Sequence, residues 1–352
     1  MISLILDVDT GIDDAMALLY ACATPDVELL AVTCVSGNVD ARQVAENTRA
    51  VLELAGRSEV EVALGRETPL VRPLETTPET HGPRGLGYAD VSPPSQPLSD
   101  RHAVDLLIEE ARKRPGEITL VTLGPLTNLA IAVLKEPDLP RLLKSYVLMG
   151  GSYRSPGNTA PTTEWNIHVD PDAAKVVFRA WADAHDRHGT KLPTALGLDV
   201  TERAKIVPDH VVALARRAGS QTDDSIALAA GENPMTATRS VASNPIVRFI
   251  ADALRFYMEF HSRYDGFYGA FIHDPLAVAA ALDRSLIRTQ ALPVDVELGG
   301  TLTTGETVTD WRRVWGKPPN LDIAVEADAQ EFLKRFVDRV GGLAATRSNV
   351  AI

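Results

Sequence analysis

The chain has 352 residues, of which 45% are hydrophobic and 23% charged, and its formal net charge is −12 at pH 7. This composition is typical of a globular protein with a sizeable core, and the negative charge argues against a nucleic acid polymer or an anionic membrane as partner. The sequence has two cysteines, no signal-peptide pattern and no uncharged apolar run of about 20 residues. We therefore expect a cytoplasmic protein without a disulfide framework or a membrane span.

The first predicted element is a buried strand, the apolar run ISLIL, and a cluster of aspartates follows it. Asp7 and Asp9 share one face of this strand, whereas Asp13 and Asp14 fall in the first turn of a helix predicted from DDAMALLYACA. Two carboxylates about 4 Å apart repel by roughly 4 kcal/mol, while a helix dipole returns only ~0.3–1 kcal/mol for each. No Lys or Arg occurs before Arg42. The cluster therefore indicates an oxygen-ligated Ca²⁺ or Mg²⁺ rather than solvated helix caps.

Strand-like and helix-like segments alternate along the rest of the chain. Strands are predicted at VELLAVTCVSGN, EITLVTLG, SYVLMGG and PTALGLDV, and helices at ARQVAENTRAVLELAG, PLTNLAIAVLK, DPDAAKVVFRAWADAH and DPLAVAAALD. TQALPVDVELGGTLTTGETVTDW predicts a β-hairpin, and NLDIAVEADAQEFLKRFVDRV predicts a last strand and helix. The alternation favours one large α/β domain, residues 1–345, with a mostly parallel central sheet and helices on both faces. A short tail, 346–352, follows it.

Polar residues recur where the predicted strands end, which is where open α/β sheets bind their ligands. The aspartates follow the first strand, Asn38 ends the second, LGPLTN follows the third and MGGSYRSPGNTAPTTEWNIHVD follows the fourth. IHDP precedes a late helix. Two polar stretches, 68–101 and 216–244, interrupt the pattern and are typical of functional loops. These segments predict one site at the C-terminal ends of the strands.

Three of these segments, DVDTGIDDA, GN…TEWN and IHDP, resemble motifs of the inosine–uridine preferring nucleoside hydrolase family, and the resemblance covers about residues 2–340. The chain departs from the commonest form of the motifs at Thr10, where Pro is usual, and at Trp165, where Phe is usual. The resemblance implies hydrolysis of the N-glycosidic bond of a small-molecule ribonucleoside, which gives ribose and free base. It also implies a homo-oligomer, a dimer or tetramer.

The resemblance assigns a single Ca²⁺ to Asp9, Asp14, Asp274 and the main-chain carbonyl of Leu123. Asp9 would also take the proton from the attacking water. Residues expected to contact the substrate are Asp13, Asn38 and Asn166 near the ribose hydroxyls, Asn158 and Glu164 near the 5′-hydroxyl, Asp274 and, toward the base, His81.

His273 is the candidate proton donor to the leaving base, with a purely orienting role as the alternative. His261, Tyr264 and Tyr268 are further candidates for contacts with the base, or else pack at the end of a helix. The base itself, purine or pyrimidine, stays open.

Three other interpretations compete with a nucleoside hydrolase. A haloacid-dehalogenase-like phosphatase also begins with a strand and DxD, but it needs Thr or Val where this chain has Gly11. An EF-hand counted from Asp7 would need Gly and Glu where Ile12 and Leu18 stand. A nucleoside- or ribosyl-binding member of the same fold with an altered substrate stays open.

Overall fold

The computed structural model describes residues 1–220 and 239–347. Its strands are β1 (Ile2–Val8), β2 (Val27–Cys34), β3 (Glu61–Leu64), β4 (Ile118–Thr122), β5 (Ser145–Met149), β6 (Thr194–Leu196), β7 (Lys205–Ile206), β8 (Ala270–Phe271), β9 (Ile287–Leu292), β10 (Val294–Val296), β11 (Thr307–Thr309) and β12 (Leu321–Ala327). Its α-helices are α1 (Ile12–Cys22), α2 (Ala41–Ala55), α3 (Pro78–His81), α4 (Ala103–Lys113), α5 (Thr127–Lys135), α6 (Leu139–Leu142), α7 (Trp165–Val169), α8 (Pro171–His188), α9 (Leu198–Thr201), α10 (Pro208–Arg217), α11 (Pro245–Tyr264), α12 (His273–Leu282) and α13 (Ala329–Thr346).

Eight of these strands form the central sheet, in the order β3-β2-β1-β4-β5-β6-β12-β9. Every neighbouring pair is parallel except β12 with β9 at one edge, so the predicted mostly parallel sheet is confirmed. The chain builds outward from β1 to β3 on one side and then restarts with β4 on the other. A crevice at such a reversal point is where open α/β sheets bind ligands. The loops after β1 and β4 therefore define the place to look for a site.

Helices cover both faces of the sheet, as the alternation predicts. One core lies between the sheet and a layer that includes α1, α2, α11, α12 and α13. The second core lies under α4, α5 and α8 on the opposite face. The strands read as apolar runs because both of their faces are covered, and β4 is buried along its whole length.

Several elements differ from their predicted form. In the predicted hairpin, β10 and β11 pair as a separate antiparallel ribbon, while the residues just before them form β9 and join the main sheet. The predicted strand PTALGLDV ends at Leu196, and α9 begins two residues later. α11, the longest described helix, was absent from the sequence prediction.

The predicted domain boundary falls in the last turn of α13, which continues through Thr346. Residues 348–352 of the predicted tail and 221–238 of the predicted loop lie outside the described residues. None of the helices in the described part of the chain is long and apolar enough to cross a membrane.

Candidate active site

The N-termini of two helices bring three aspartates together. Asp13 and Asp14 lie in the first turn of α1, and Asp274 lies in the first turn of α12, which packs beside α1. One carboxylate oxygen from each lies within 4.8 Å of the others, and all three side chains are buried. Both helix dipoles favour negative charge here, but by only about 0.3–1 kcal/mol per acid. The cluster therefore needs a further source of positive charge or protons.

The fourth aspartate, Asp9, follows β1 and is held through one of its two oxygens. Oδ2 accepts the backbone N–H of Asn38 at 2.8 Å, whereas Oδ1 is buried and has no hydrogen-bond partner in the described structure. Two glycines crowd this carboxylate: a Cβ would come within 2.1 Å of Oδ2 at Gly37 and within 2.8 Å of Oδ1 at Gly124. Any other residue at either position would displace Asp9.

Asp14 is oriented by the loop that joins β1 to α1. Its Oδ1 accepts the backbone N–H of Asp9 at 3.2 Å, and its Oδ2 accepts the N–H of Gly11 at 2.9 Å. The side-chain amide of Asn38 donates to the same Oδ2 at 3.2 Å. Backbone N–H groups thus fix both carboxylates: those of the segment after β1 hold Asp14, and that of Asn38, after β2, holds Asp9.

Burial raises the pKa of every acid in this region. The pKa values of Asp9, Asp13 and Asp274 lie well above their usual range because the side chains are desolvated, and neighbouring carboxyl groups raise them further. Asp7, on β1, has its pKa raised to about 7 by burial, although Thr33 and Asn128 donate to its carboxylate. Ionising these groups together is costly unless a cation accompanies them.

The donor set fits Ca²⁺. Convergent oxygens of Asp13, Asp14 and Asp274 and the unpartnered Oδ1 of Asp9 are all hard carboxylate ligands. The main-chain carbonyl of Leu123 follows β4 and accepts the Asn166 side-chain amide at 2.6 Å. The family resemblance implies Asp9, Asp14, Asp274 and the carbonyl of Leu123 as the metal ligands. In the described structure, the three acids with oxygens within 4.8 Å of one another include Asp13 and not Asp9.

The loop after β5 forms a polar wall. Glu164 begins α7, and its carboxylate accepts the backbone N–H of Asn166 at 2.9 Å. Asn158 reaches the same helix start, because its Oδ1 accepts the N–H of Trp165 at 3.0 Å. These side chains are therefore oriented by the backbone, as a site that recognises hydroxyl groups requires.

α11 and β8 supply an aromatic wall that contains histidines. Tyr257 has its ring centroid 4.6 Å from His261 and 5.2 Å from His81, and Phe271 has its ring centroid 5.8 Å from His273. Burial lowers the pKa of His81 and of His273 to about 3, so both rings are neutral near pH 7. Flat apolar rings with polar nitrogens between them suit a heteroaromatic base.

These walls enclose one cavity of about 490 Å³. It is lined by eleven of the residues selected from the sequence, namely Asp13, Asn38, His81, Leu123, Asn158, Glu164, Asn166, His261, Tyr264, His273 and Asp274. Asp9 and Asp14 are buried outside the lining set, and the half-buried Tyr268 also lies outside it.

Sequence reasoning missed Glu202, Tyr257 and Asp265, which also line the cavity. Burial, with Asp265 and Asp199 nearby, raises the pKa of Glu202 to about 7. Asp265 carried a signal, since it stands four residues after His261 at the spacing of neighbours on a helix. No local pattern marks Glu202.

Comparison with known proteins identifies the class of this site. The model of the family described as inosine-uridine preferring nucleoside hydrolase matches residues 4–334. A Leishmania major protein named inosine-uridine preferring nucleoside hydrolase is 37% identical over 95% of this chain and 96% of its own length. The pyrimidine-specific ribonucleoside hydrolase RihA of Enterobacter sp. is 34% identical over 96% of this chain and 97% of its own. The structure of a purine-preferring ribonucleoside hydrolase from Gardnerella vaginalis superposes with a TM-score of 0.83 at 31% identity, covering 98% and 99% of the two chains.

The fold and the relatives define a hydrolase of the glycosidase class that acts on N-ribosyl bonds. The chain belongs to the inosine–uridine preferring nucleoside hydrolase family. The predicted family and enzyme class are thereby confirmed, and the phosphatase alternative is not supported.

Proposed function

We propose that this enzyme hydrolyses the N-glycosidic bond of free ribonucleosides with the help of Ca²⁺. The observation that carries the proposal is the unpartnered Oδ1 of Asp9 beside the converging oxygens of Asp13, Asp14 and Asp274. Asp9, Asp14, Asp274 and the carbonyl of Leu123 would hold the ion. When bound, Ca²⁺ supplies positive charge that acidifies water and attracts the vicinal hydroxyls of ribose.

Asp9 is the proposed general base. The N–H of Asn38 orients the carboxylate through Oδ2, and this carboxylate would receive the proton of the attacking water. The surrounding carboxylates favour the positive charge that develops on the sugar in an oxocarbenium-like transition state. Asp13, Asn38 and Asn166 would bind the ribose hydroxyls. Asn158 and Glu164, held at the start of α7, would bind the 5′-hydroxyl.

The aromatic wall would receive the base. We use the name base end for the part of the cavity formed by His81, Glu202, Tyr257, Phe260, His261, Asp265, Phe271 and His273. The acid end is formed by Asp9, Asp13, Asp14, Asp274 and Asn38. His273 is the proposed donor to the leaving base: its Nδ1 lies 2.8 Å from the Thr201 hydroxyl, and a proton on Nε2 would pass to the base as the C1′–N bond breaks. His81 would contact the base beside Tyr257.

A panel of purine and pyrimidine ribonucleosides with a reducing-sugar readout tests the proposal. We expect ribose release from at least one nucleoside, loss of activity after washing with a chelator, and recovery with Ca²⁺ but less with Mg²⁺. Elemental analysis should find one Ca²⁺ per chain before washing. A chelator-washed, metal-free enzyme with full activity would falsify the role of Ca²⁺.

The family resemblance further supports a homo-oligomer, a dimer or tetramer. Light scattering coupled to gel filtration tests this assembly, and a monomer at assay concentration would contradict it.

A further inference from the structure

Three histidines line the cavity, and each has a different partner at Nδ1. The Nδ1 of His81 accepts the backbone N–H of Ile12 at 3.1 Å, so the neutral ring carries its proton on Nε2. The Nδ1 of His273 lies 2.8 Å from the hydroxyl of Thr201, whose oxygen also lies 3.2 Å from the carbonyl oxygen of Gly197. When the hydroxyl donates to Nδ1, the neutral His273 ring carries its proton on Nε2, as the proposed donation to the leaving base requires.

The third ring, His261, is fixed by a carboxylate. Its Nδ1 lies 2.7 Å from Oδ2 of Asp265, which follows one turn later at the end of α11. An ionised carboxylate can only accept, so Nδ1 carries the proton and Nε2 of the neutral ring is an acceptor. The His261 side chain is 6% exposed, and its Nε2 has no hydrogen-bond partner in the described structure. The base end thus contains a buried acceptor without a donor.

The groups around Nε2 of His261 favour its role as a hydrogen-bond acceptor. Tyr257 and Phe271 hold the His261 ring at centroid distances of 4.6 Å and 4.8 Å. The carboxylates of Glu202 and Asp265 line the same cavity. Lys205, whose charge helps to lower the pKa of His261, lies over Phe267 with its Nζ 4.7 Å from that ring centroid and is outside the lining set. Around His261, the base end therefore presents acceptors and negative charge to a bound base, while the Nε2–H of His81 is a donor beside Tyr257.

We propose that His261, held by Asp265 and assisted by Glu202, selects nucleosides whose base carries an exocyclic amino group. The inference rests on the proposed function, since it assigns the base to this end of the cavity. An amino group offers two N–H donors to these acceptors, whereas a carbonyl oxygen in its place would bring further lone pairs against them. A buried acceptor that stays unpartnered weakens binding, and sites built around such groups discriminate strongly. Cytidine is thus favoured over uridine, and adenosine over inosine.

The test compares kcat/KM within each pair of nucleosides at pH 8, where the Glu202 carboxylate is mostly ionised. We expect the amino-bearing nucleoside of a hydrolysed pair to be preferred by about tenfold or more. In the variant Asp265→Asn, the amide can donate to Nδ1 and move the ring proton to Nε2. The preference should then fall to within about threefold or reverse.

Asp338→Asn is the matched control. Asp338 is likewise a half-exposed aspartate one helical turn from its partner, with Oδ2 3.2 Å from Nζ of Lys334 on α13. It should keep the wild-type preference. Nitrogen-15 NMR of the ring of His261 gives a readout without turnover: the Nδ1–H tautomer is expected in the wild type and the Nε2–H tautomer in Asp265→Asn.

Results from any of the three measurements, the nucleoside pairs, the Asp265→Asn variant or the NMR of His261, could overturn the inference and leave the proposed function intact. One such result is efficient ribose release with uridine or inosine equal to or ahead of its amino counterpart. The others are an Asp265→Asn variant that keeps the full preference and a wild-type His261 ring with its proton on Nε2. If neither the nucleosides nor p-nitrophenyl riboside released ribose in the presence of Ca²⁺, the proposed function would fail and the inference with it.

Discussion

The acid end and the base end of the cavity are built in different ways. At the acid end, backbone N–H groups and close-fitting glycines fix the carboxylates, and most of the atoms come from the segment after β1. At the base end, side chains hold side chains: His261 and Asp265 lie one helical turn apart, whereas His273 and Thr201 are 72 residues apart in the chain. On the proposed function, we expect the acid end to perform the chemistry common to every substrate and the base end to set which base is accepted and how it leaves.

The largest expected effect comes from Asp9→Asn at the acid end. The asparagine side chain keeps the shape of Asp9 but removes the carboxylate that accepts the proton, and with it one negative charge. We predict a fall in kcat of at least ~10³ for every nucleoside that the enzyme hydrolyses, because general-base catalysis contributes about 10²–10⁴. Calcium content is measured in parallel, and Asp105→Asn, an exposed aspartate paired with Lys135, is the control. If kcat fell by very different factors for nucleosides with different bases, the proposed division of roles between the acid end and the base end would be wrong.

The second prediction changes the sugar instead of the protein. A 2′-deoxynucleoside lacks a hydroxyl that Asp13, Asn166 and the proposed Ca²⁺ would bind at the acid end. We predict at least ~100-fold slower hydrolysis than for the matching ribonucleoside, since a site built around a hydroxyl rejects the analogue without it. Steady-state kcat/KM for each pair measures the ratio. Equal rates would show that the acid end does not bind the diol.

The third prediction separates the leaving group from the rest of the chemistry. His273→Ala should reduce inosine hydrolysis, where inosine is a substrate, about tenfold or more beyond its effect on p-nitrophenyl riboside. Hypoxanthine needs a proton to leave, whereas p-nitrophenolate does not. Misfolding or metal loss would lower both rates together, so the ratio is internally controlled. Equal losses with Ca²⁺ retained would make His273 a positioning residue for the sugar or for Asp274.

The difference between the acid end and the base end also explains which parts of the fold and of the site could be predicted from the sequence. The parallel sheet, its helices and the acid end follow from local patterns: an apolar strand, a turn at Gly11 and acids in the first turn of a helix. The place of Asp274 in the site could be predicted only from the family resemblance. Asp274 is far from Asp14 in the sequence, and the two residues meet only because α12 packs beside α1. Glu202 and Tyr257 were missed because side chains from separate elements meet there, and no local spacing records such a meeting.

The smallest predicted effect concerns stability. It tests how the ionisation of the buried carboxyl groups of the acid end, and of Asp7 next to it on β1, changes the melting temperature. The pKa of Asp7 is raised from 3.8 to about 7, mainly by burial, so the folded protein holds this proton more tightly than the unfolded chain does. The stability that the bound proton gives is present below about pH 4 and is lost as pH rises toward about 7. The raised pKa values of Asp9, Asp13 and Asp274 act in the same direction.

In chelator, we therefore expect the melting temperature to fall by about 5 °C between pH 5 and pH 8. Millimolar Ca²⁺ should remove most of this fall, because the ion binds the deprotonated carboxylates of the folded state. Asp7→Asn keeps an oxygen that accepts from Thr33 and Asn128 but cannot ionise, so its melting temperature in chelator should depend less on pH. Differential scanning calorimetry measures the melting temperature of the wild type in chelator, of the wild type with Ca²⁺ and of Asp7→Asn in chelator. A melting temperature in chelator that stays level or rises across this range would contradict the prediction. It would mean that ionising the buried carboxyl groups at the acid end does not destabilise the metal-free protein, so this end would not differ from the base end in needing a cation.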